Sequence, residues 1–135
     1  MNKAAFSLDN YRFEKVNIDF SKRTSNSLDI AFSPSGRFIS NESVFELKFK
    51  FSAHNGEVGE AFVEVECVAL FKFEENLQFE NIPTYFYRNS IALIFPYMRA
   101  FISTVTLQAN IPPIIVPTMN LSSLETPLKE NTVNI

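Results

Sequence analysis

The sequence predicts an α+β fold in which a four-stranded antiparallel sheet packs against one long helix that is bent at a proline. Apolar and polar residues alternate with a period of two in the first half of the chain, as they do in half-buried strands. A long apolar segment beyond Pro83 then predicts the helix. The 135 residues fit a single domain, 1–135, and 46% of them are hydrophobic, which is enough to form a core.

The N-terminal part predicts a flexible arm followed by the first strand. We expect residues 1–10 to be the arm. Residues 11–20 form the strand, because Val16, Ile18 and Phe20 fall on one of its faces.

The second strand is predicted after a polar turn. Residues 21–27, with the sequence SKRTSNS, have the composition of a turn. In residues 28–32 the apolar side chains occupy the even positions, which predicts a strand. The Ser-Pro-Ser-Gly sequence at 33–36 predicts a second turn immediately after it.

Two further strands show the clearest pattern. Residues 45–51 place Phe or Leu at every odd position, and we expect this stripe to be core beneath the helix. The Asn55-Gly56 dipeptide predicts a tight hairpin to a return strand at 60–74. The even positions of that strand become apolar at Val68 and Leu70. We therefore expect another surface to cover its end, with a second subunit as one candidate.

The helix is predicted to begin near Pro83-Thr84. Since Pro96 interrupts the pattern, we expect a bent helix with pieces near 84–94 and 96–109, ended by Asn110. Apolar side chains nearly encircle the second piece, so it should be buried on most sides. One sheet covers one side only, which predicts that a second copy of the chain covers the other side.

The C-terminal quarter predicts extended and flexible structure. Three prolines within 111–117 exclude a helix and favour an extended apolar segment lying over the protein. The polar end of the chain, residues 125–135, is expected to be flexible. The apolar segment 91–109 has the length of a membrane span, but Arg99 and several hydroxyl groups argue against membrane insertion.

Composition argues against enzymatic, metal-binding and nucleic-acid-binding functions. His54 is the only histidine and Cys67 the only cysteine, so a transition-metal site lacks ligands and an internal disulfide lacks a partner. Glu64 and Glu66 share one strand face, where a solvated surface is the alternative to acid–base chemistry. The net charge is -3, and the sequence shows no basic stripe of the kind that nucleic-acid-binding proteins carry. We expect that the protein is not an enzyme and binds no cofactor. The lone cysteine fits a reducing, cytoplasmic location.

Two motifs resemble the SecB family of protein-export chaperones. Residues 91–99, IALIFPYMR, resemble a helix segment of that family. The runs 110–113 (NIPP), 116–117 (VP) and 120–124 (NLSSL) resemble a second family segment at a matching distance. The resemblance covers roughly residues 11–124. It implies a sheet-plus-helix fold and a tetramer, built as a dimer of dimers with the helices between the sheets.

The resemblance also implies a function. SecB proteins bind unfolded preproteins in hydrophobic grooves without ATP and deliver them to the SecA motor in the bacterial cytoplasm. By analogy, the candidate client-binding residues are Val16, Ile18, Phe20, Leu28, Ile30, Tyr85, Phe86, Phe101 and Leu121. For each of these residues the alternative is an ordinary core position.

Two features depart from the family pattern. Pro127 follows Leu124 closely, so the family's second helix should be short or missing here. The chain is also less acidic than the family, whose contact with SecA uses acidic surface. One alternative is therefore a SecB-like chaperone for a dedicated client, such as the antitoxin of a toxin–antitoxin system. A structural assembly subunit and a carrier of small hydrophobic ligands are two others.

Overall fold

The computed structural model describes residues 5–25, 27–55, 60–117 and 120–135. The main elements, in chain order, are β1 (Phe6–Ile18), β2 (Asp29–Ile39), β3 (Val44–His54), β4 (Val63–Phe73), α1 (Thr84–Gln108), α2 (Glu125–Glu130) and β5 (Thr132–Asn134). The strands form one sheet in the order β1-β4-β3-β2-β5. All pairings are antiparallel except that of β5, which runs parallel to β2. The predicted α+β class is confirmed, with five strands in place of four.

The fifth strand lies in the segment that was expected to be flexible, residues 125–135, and the structure corrects that expectation. The amide of Gly36 donates to the Asn131 carbonyl at 3.1 Å, and the amide of Ile135 donates to Phe38 at 2.8 Å. The side chain of Leu128 in α2 is fully buried. One apolar anchor and a few backbone bonds thus hold a segment whose sequence is mostly polar.

The predicted N-terminal arm, residues 1–10, is also corrected where the structure describes it. β1 begins at Phe6, whose ring meets that of Phe86 edge-on with centroids 4.7 Å apart. Residues 1–4 lie outside the described part of the chain. The register of β1 against β4 shifts near Asp9 and Glu14. Each extra residue is typical of a β-bulge and hides the period-two pattern of an early strand.

The turn predicted at 33–36 is wrong, because these residues continue β2 without a register shift. The Gly36 amide points away from β3, toward β5. Residues two apart in a strand direct their amides to the same side. The nitrogen of Pro34 therefore faces the outer edge as well, where a missing N–H removes no bond to β3.

β3 and β4 form the predicted antiparallel hairpin. Ala53 pairs with Val63, so the connection runs from residue 54 to residue 62. Residues 56–59 of that connection, including Gly56, lie outside the described part of the chain.

The core lies between the sheet and α1. The odd-numbered residues 45–51 of β3 are fully buried, which confirms the predicted stripe. On the opposite, outer face of the sheet, Val68 is only 4% exposed within the single chain. It sits between Arg12 and Lys48 in the ladder, whose long aliphatic stems can cover it. Val68 is therefore buried within the single chain, whereas Leu70 at the same end of the strand is only half-buried.

Helix α1 runs from Thr84 to Gln108 as one element that includes Pro96, so the two predicted pieces are joined. At its end Asn110 has a φ of 64°, and the amides of Asn110 and Ile111 donate to Leu107 and Thr106. This is a Schellman arrangement with asparagine in the left-handed position, as its role in ending the helix predicts.

By length and composition alone α1 could cross a membrane. The mean hydropathy of its 18-residue window is 1.4, and 39% of that window is buried within the protein. The buried side chains follow one stripe that faces the sheet: Phe86, Tyr87, Ser90, Ile91, Ile94, Phe95, Met98, Ile102 and Thr106. This stripe is typical of a helix that packs on a core.

Candidate functional site: an apolar cleft beside the edge of the sheet

An apolar cleft of about 540 Å³ opens beside the start of β2. One wall is formed by Leu28 and Ile30 together with Phe62, which precedes β4. The other wall is the extended proline-rich segment 111–117, here called the strap. Arg23 lies at the cleft, with its guanidinium carbon 5.7 Å from the centre of the Phe62 ring. The volume falls within the range of natural ligand sites.

The strap is held against α1 by three polar side chains of the helix. Arg99 Nε donates to the carbonyl of Val116 at 3.1 Å, and Ser103 Oγ donates to that of Ile114 at 3.0 Å. The amide of Ile114 in turn donates to Thr106 Oγ1 at 3.0 Å. Spacings of four and three residues place the three side chains on one helix face. Side chains of the helix thus hold the strap by hydrogen bonds to the backbone of the strap.

The chain immediately before β2 is positioned by one asparagine. Asn55 Oδ1 accepts from the amide of Thr24 at 2.7 Å. Its Nδ2 donates to the carbonyls of Ser25 and Ser27 at 3.0 and 2.6 Å. Since Ser27 directly precedes Leu28, this amide group sets where the cleft wall begins.

Three of the predicted client-binding residues gather at or beside the cleft. Leu28 and Ile30 line it directly. Phe20 is 52% exposed, and its ring meets the edge of Phe62 with centroids 5.4 Å apart. Phe62 and the strap were absent from the predicted set. A phenylalanine at an even position, where the neighbouring residues are glutamates, was the available signal for Phe62.

A second apolar surface lies between β1 and α1, at the opposite edge of the sheet. Phe101 belongs to this surface, where its ring stacks on Phe13 with centroids 4.0 Å apart. Tyr11 stacks on Tyr97 one step further along, at 4.7 Å. Val16 is on the same face of β1 and is 42% exposed. We call this the β1–α1 surface.

The remaining candidates are scattered. Ile18 is half-buried at the end of β1, Tyr85 is exposed in the first turn of α1, and Leu121 is half-buried in a short 3-10 turn. Phe86 is fully buried among other phenylalanine rings. Its assignment to a client surface is therefore corrected to a core role, because a helix residue one position from an exposed one faces a different direction.

Charged groups of both signs lie on the outer face of the sheet. Arg37 and Glu46 form an ion pair at 3.4 Å, and Glu66 lies between Lys15 and Lys50 in the ladder. Within the described ranges, no group of three or more His, Cys, Asp or Glu side chains is arranged to hold a metal ion.

The local structure shifts the pKa values of Cys67 and Asp19 in opposite directions. Burial, followed by the charge of Glu14, raises the pKa of the Cys67 thiol to about 11. This position favours an inert structural thiol over a reactive one. Hydrogen bonds from the hydroxyl and then the amide of Ser21 lower the pKa of Asp19, near the cleft.

Similar proteins are found at the level of both fold and sequence. The structure resembles that of the Mycobacterium tuberculosis Rv1957 SecB-like chaperone in complex with a ChAD peptide from the Rv1956 HigA1 antitoxin. The identity is 17%, the TM-score is 0.66, and the match covers 84% of this chain and 90% of that chain. A protein of unknown function from Streptococcus agalactiae matches at 9% identity over 87% of this chain and 100% of the other, with a TM-score of 0.47.

A curated protein is similar in sequence over a shorter stretch. The uncharacterized protein MJ0357 of Methanocaldococcus jannaschii is 50% identical over 42 residues, which span 31% of this chain and 27% of that protein. The family model described as SecB, preprotein translocase subunit SecB, matches residues 6–127. Because this match takes in all four long strands and the whole of α1, the chain belongs to the SecB family.

Proposed function

We propose that this protein is an ATP-independent chaperone, a holdase that binds unfolded polypeptides in the apolar cleft. The observation that carries the proposal is an open cleft lined by Leu28, Ile30, Phe62 and the strap, next to an exposed Phe20. A concave apolar surface with few fixed charges suits segments of many sequences. Membership of the SecB family and a fold shared with a SecB-like chaperone support the same function.

The cleft supplies affinity through apolar area. Covering about 300 Å² of apolar surface at about 25 cal/mol per Å² contributes on the order of 7 kcal/mol before ordering costs. Phenylalanine and proline side chains suit this task, since they are large and lose little conformational entropy on binding. The protein therefore needs no nucleotide to hold a client, and release follows from the modest net affinity.

We propose that the protein is a homo-oligomer, with a dimer of dimers as the expected form. The β1–α1 surface is the candidate interface, because it exposes Tyr97 and Val16 at 45% and 42% in the single chain. Burying aromatic rings of this kind is typical of interface cores. Light scattering on the wild-type protein should give a mass above that of the 15.4 kDa chain. A Tyr97→Glu variant should lower that mass.

We propose unfolded preproteins of the Sec pathway as the first client class, in the bacterial cytoplasm, with SecA as a candidate partner. The family description supports this assignment. A dedicated client is the second candidate, because the SecB-like chaperone Rv1957 has been captured with an antitoxin peptide. The mixed charges of the outer sheet face favour this second candidate, since they do not form an acidic docking surface for SecA.

The experiment compares aggregation of a thermally unfolded model enzyme with and without the protein. Wild type should suppress the light scattering of the aggregating enzyme, and Ile30→Ser should suppress it several-fold less. Val133→Ser is the matched control, because Val133 is 53% exposed but pairs with Arg37 on the outer face, away from the cleft. Equal activity of the two variants would remove the cleft from the proposal. Complete inactivity of the wild type would favour a structural assembly subunit, and a co-purifying lipid a ligand carrier.

A further inference from the structure

The apolar cleft has a single charged side chain among the described residues that line it, and that side chain is Arg23. The other lining residues are leucine, isoleucine, phenylalanine and proline. The strap contributes no charge, since residues 111–117 have the sequence IPPIIVP. A client that enters the cleft therefore meets a positive charge beside apolar surface, with no carboxylate among these lining residues to balance it.

The backbone around Arg23 is fixed on both sides. The amide of Arg23 donates to the carbonyl of Phe20 at 3.2 Å and closes the short 3-10 turn before it. The amide of the next residue donates to Asn55 Oδ1 at 2.7 Å. The turn is also bonded to the cleft wall, because the amide of Asp19 donates to the carbonyl of Phe62 at 2.9 Å. Arg23 thus projects from a backbone that is already ordered beside the cleft.

The guanidinium group of Arg23 is held at the cleft by an aromatic ring. Its carbon lies 5.7 Å from the centre of the Phe62 ring, within the distance of a cation–π contact. Arginine suits this position better than lysine, because its planar group can stack on a ring and still direct N–H donors to a carboxylate. Since the side chain is positioned before a client arrives, less conformational entropy is lost when a carboxylate binds.

This local charge outweighs the net charge of the protein at physiological salt. The net charge of -3 would by itself disfavour an acidic client. Because the Debye length is about 8 Å under these conditions, charges elsewhere on the surface are largely screened at the cleft. Of the nearer groups, Lys22 and Glu60 form an ion pair, and the carboxylate of Asp19 accepts from the amide and the hydroxyl of Ser21. Arg23 therefore sets the sign of the potential that a client side chain meets in the cleft.

We propose that Arg23 selects clients in which an acidic residue directly flanks an apolar segment. This inference rests on the proposed chaperone function and names the client class that the cleft prefers. The apolar side chains of such a segment pack against Leu28, Ile30 and the strap, and its carboxylate accepts hydrogen bonds from the guanidinium group. Clients with lysine or arginine at the same place are disfavoured by repulsion between like charges.

Fluorescence anisotropy with three labelled synthetic peptides tests this preference on the full chain. The peptides share one apolar core of phenylalanine, leucine and valine and differ only in their flanking residues, which are glutamate, glutamine or lysine. Wild type should bind the glutamate peptide about three- to fivefold more tightly than the glutamine peptide, as expected for a partly exposed ion pair, and the lysine peptide most weakly. At about 1 M salt, where the Debye length is about 3 Å, the three affinities should converge.

Three variants assign the preference to a residue. Arg23→Gln should bind the glutamate and glutamine peptides equally, and Arg23→Glu should favour the lysine peptide. Arg12→Gln is the matched control, because it makes the same change in net charge on the outer face of the sheet, where Arg12 is paired with Glu14. This control should keep the wild-type order of affinities.

The outcomes separate this inference from the proposed function. Equal affinities of the wild type for the three peptides at low salt would overturn the selectivity and leave the chaperone proposal standing. A preference for the glutamate peptide that persists in Arg23→Gln would also overturn it, because another group would then carry the selectivity. Failure of the wild type to bind any of the peptides, together with no effect on the aggregation of an unfolded enzyme, would overturn both.

Discussion

Gly36 is the position at which a single methyl group should separate the C-terminal strand from the sheet. A Cβ built on Gly36 would lie 2.7 Å from Cε1 of Phe45, closer still to Cζ of the same ring, and 2.9 Å from Thr132 Oγ1. Ordinary carbon–carbon contacts are about 3.5–4.0 Å, so the overlap is on the order of 1 Å. Gly36→Ala therefore forces either the Phe45 ring or β5 to move.

The structure indicates which of the two moves. Phe45 is fully buried, and its ring packs against Phe86 and Tyr87 with centroids 4.8 and 6.0 Å away. β5 is three residues long and has one neighbouring strand. Overpacking typically costs about 1–3 kcal/mol. The loss of unfolded-state entropy from Gly to Ala returns about 0.4–1 kcal/mol. We expect Gly36→Ala to lower the free energy of unfolding by about 1–2 kcal/mol, with β5 displaced.

Urea unfolding of four proteins measures this effect: wild type, Gly36→Ala, Phe45→Leu and the double variant. Since leucine lacks the ring atoms that clash, the double variant should lose less stability than the sum of the two single variants. The Ile135 amide should also exchange faster in Gly36→Ala, because its bond to Phe38 is lost. Additive losses, or a Gly36→Ala variant as stable as the wild type, would refute the reasoning.

Three further predictions concern the supports of the cleft and the core. Asn55→Ala should lower the free energy of unfolding in urea by about 1–2 kcal/mol and weaken client binding, because the side-chain amide of Asn55 holds the segment before Leu28. An unchanged client affinity would show that Asn55 does not position this segment. Thr106→Val should cost about 1–3 kcal/mol by leaving the Ile114 amide without its acceptor, whereas Thr106→Ser, the control, should stay close to wild type. Cys67 should resist thiol reagents in the folded protein. Because its folded pKa is raised from 9.0 to about 11, the folded state keeps a proton that the unfolded state loses, and stability should fall as pH rises through this window. Rapid labelling of native protein near pH 8 would contradict the buried thiol.

The strands that the sequence predicts best are those with one buried and one solvated face. In residues 45–51 apolar side chains at odd positions alternate with charged side chains at even positions without exception. The structure buries all four apolar side chains. β1 is less regular because its two bulges change which side chains face inward. The turn predicted at 33–36 was wrong for a different reason. Proline and glycine usually mark turns, but here Pro34 lies with its nitrogen at an outer edge and Gly36 makes room for a ring.

The cleft could be predicted only in part. Alternation placed Leu28 and Ile30 on an apolar strand face, analogy with the family named them as client-binding candidates, and the prolines of 111–117 predicted an extended segment. Their meeting depends on long-range contacts that no local pattern contains, such as the bonds from Arg99 and Thr106 to the strap. Phe86 is the opposite case, a residue named as a client-binding candidate that lies in the core. It is fully buried although the neighbouring Tyr85 is exposed. Which side chains of a helix are exposed depends on how the helix is rotated about its axis against the sheet, and composition does not determine that rotation.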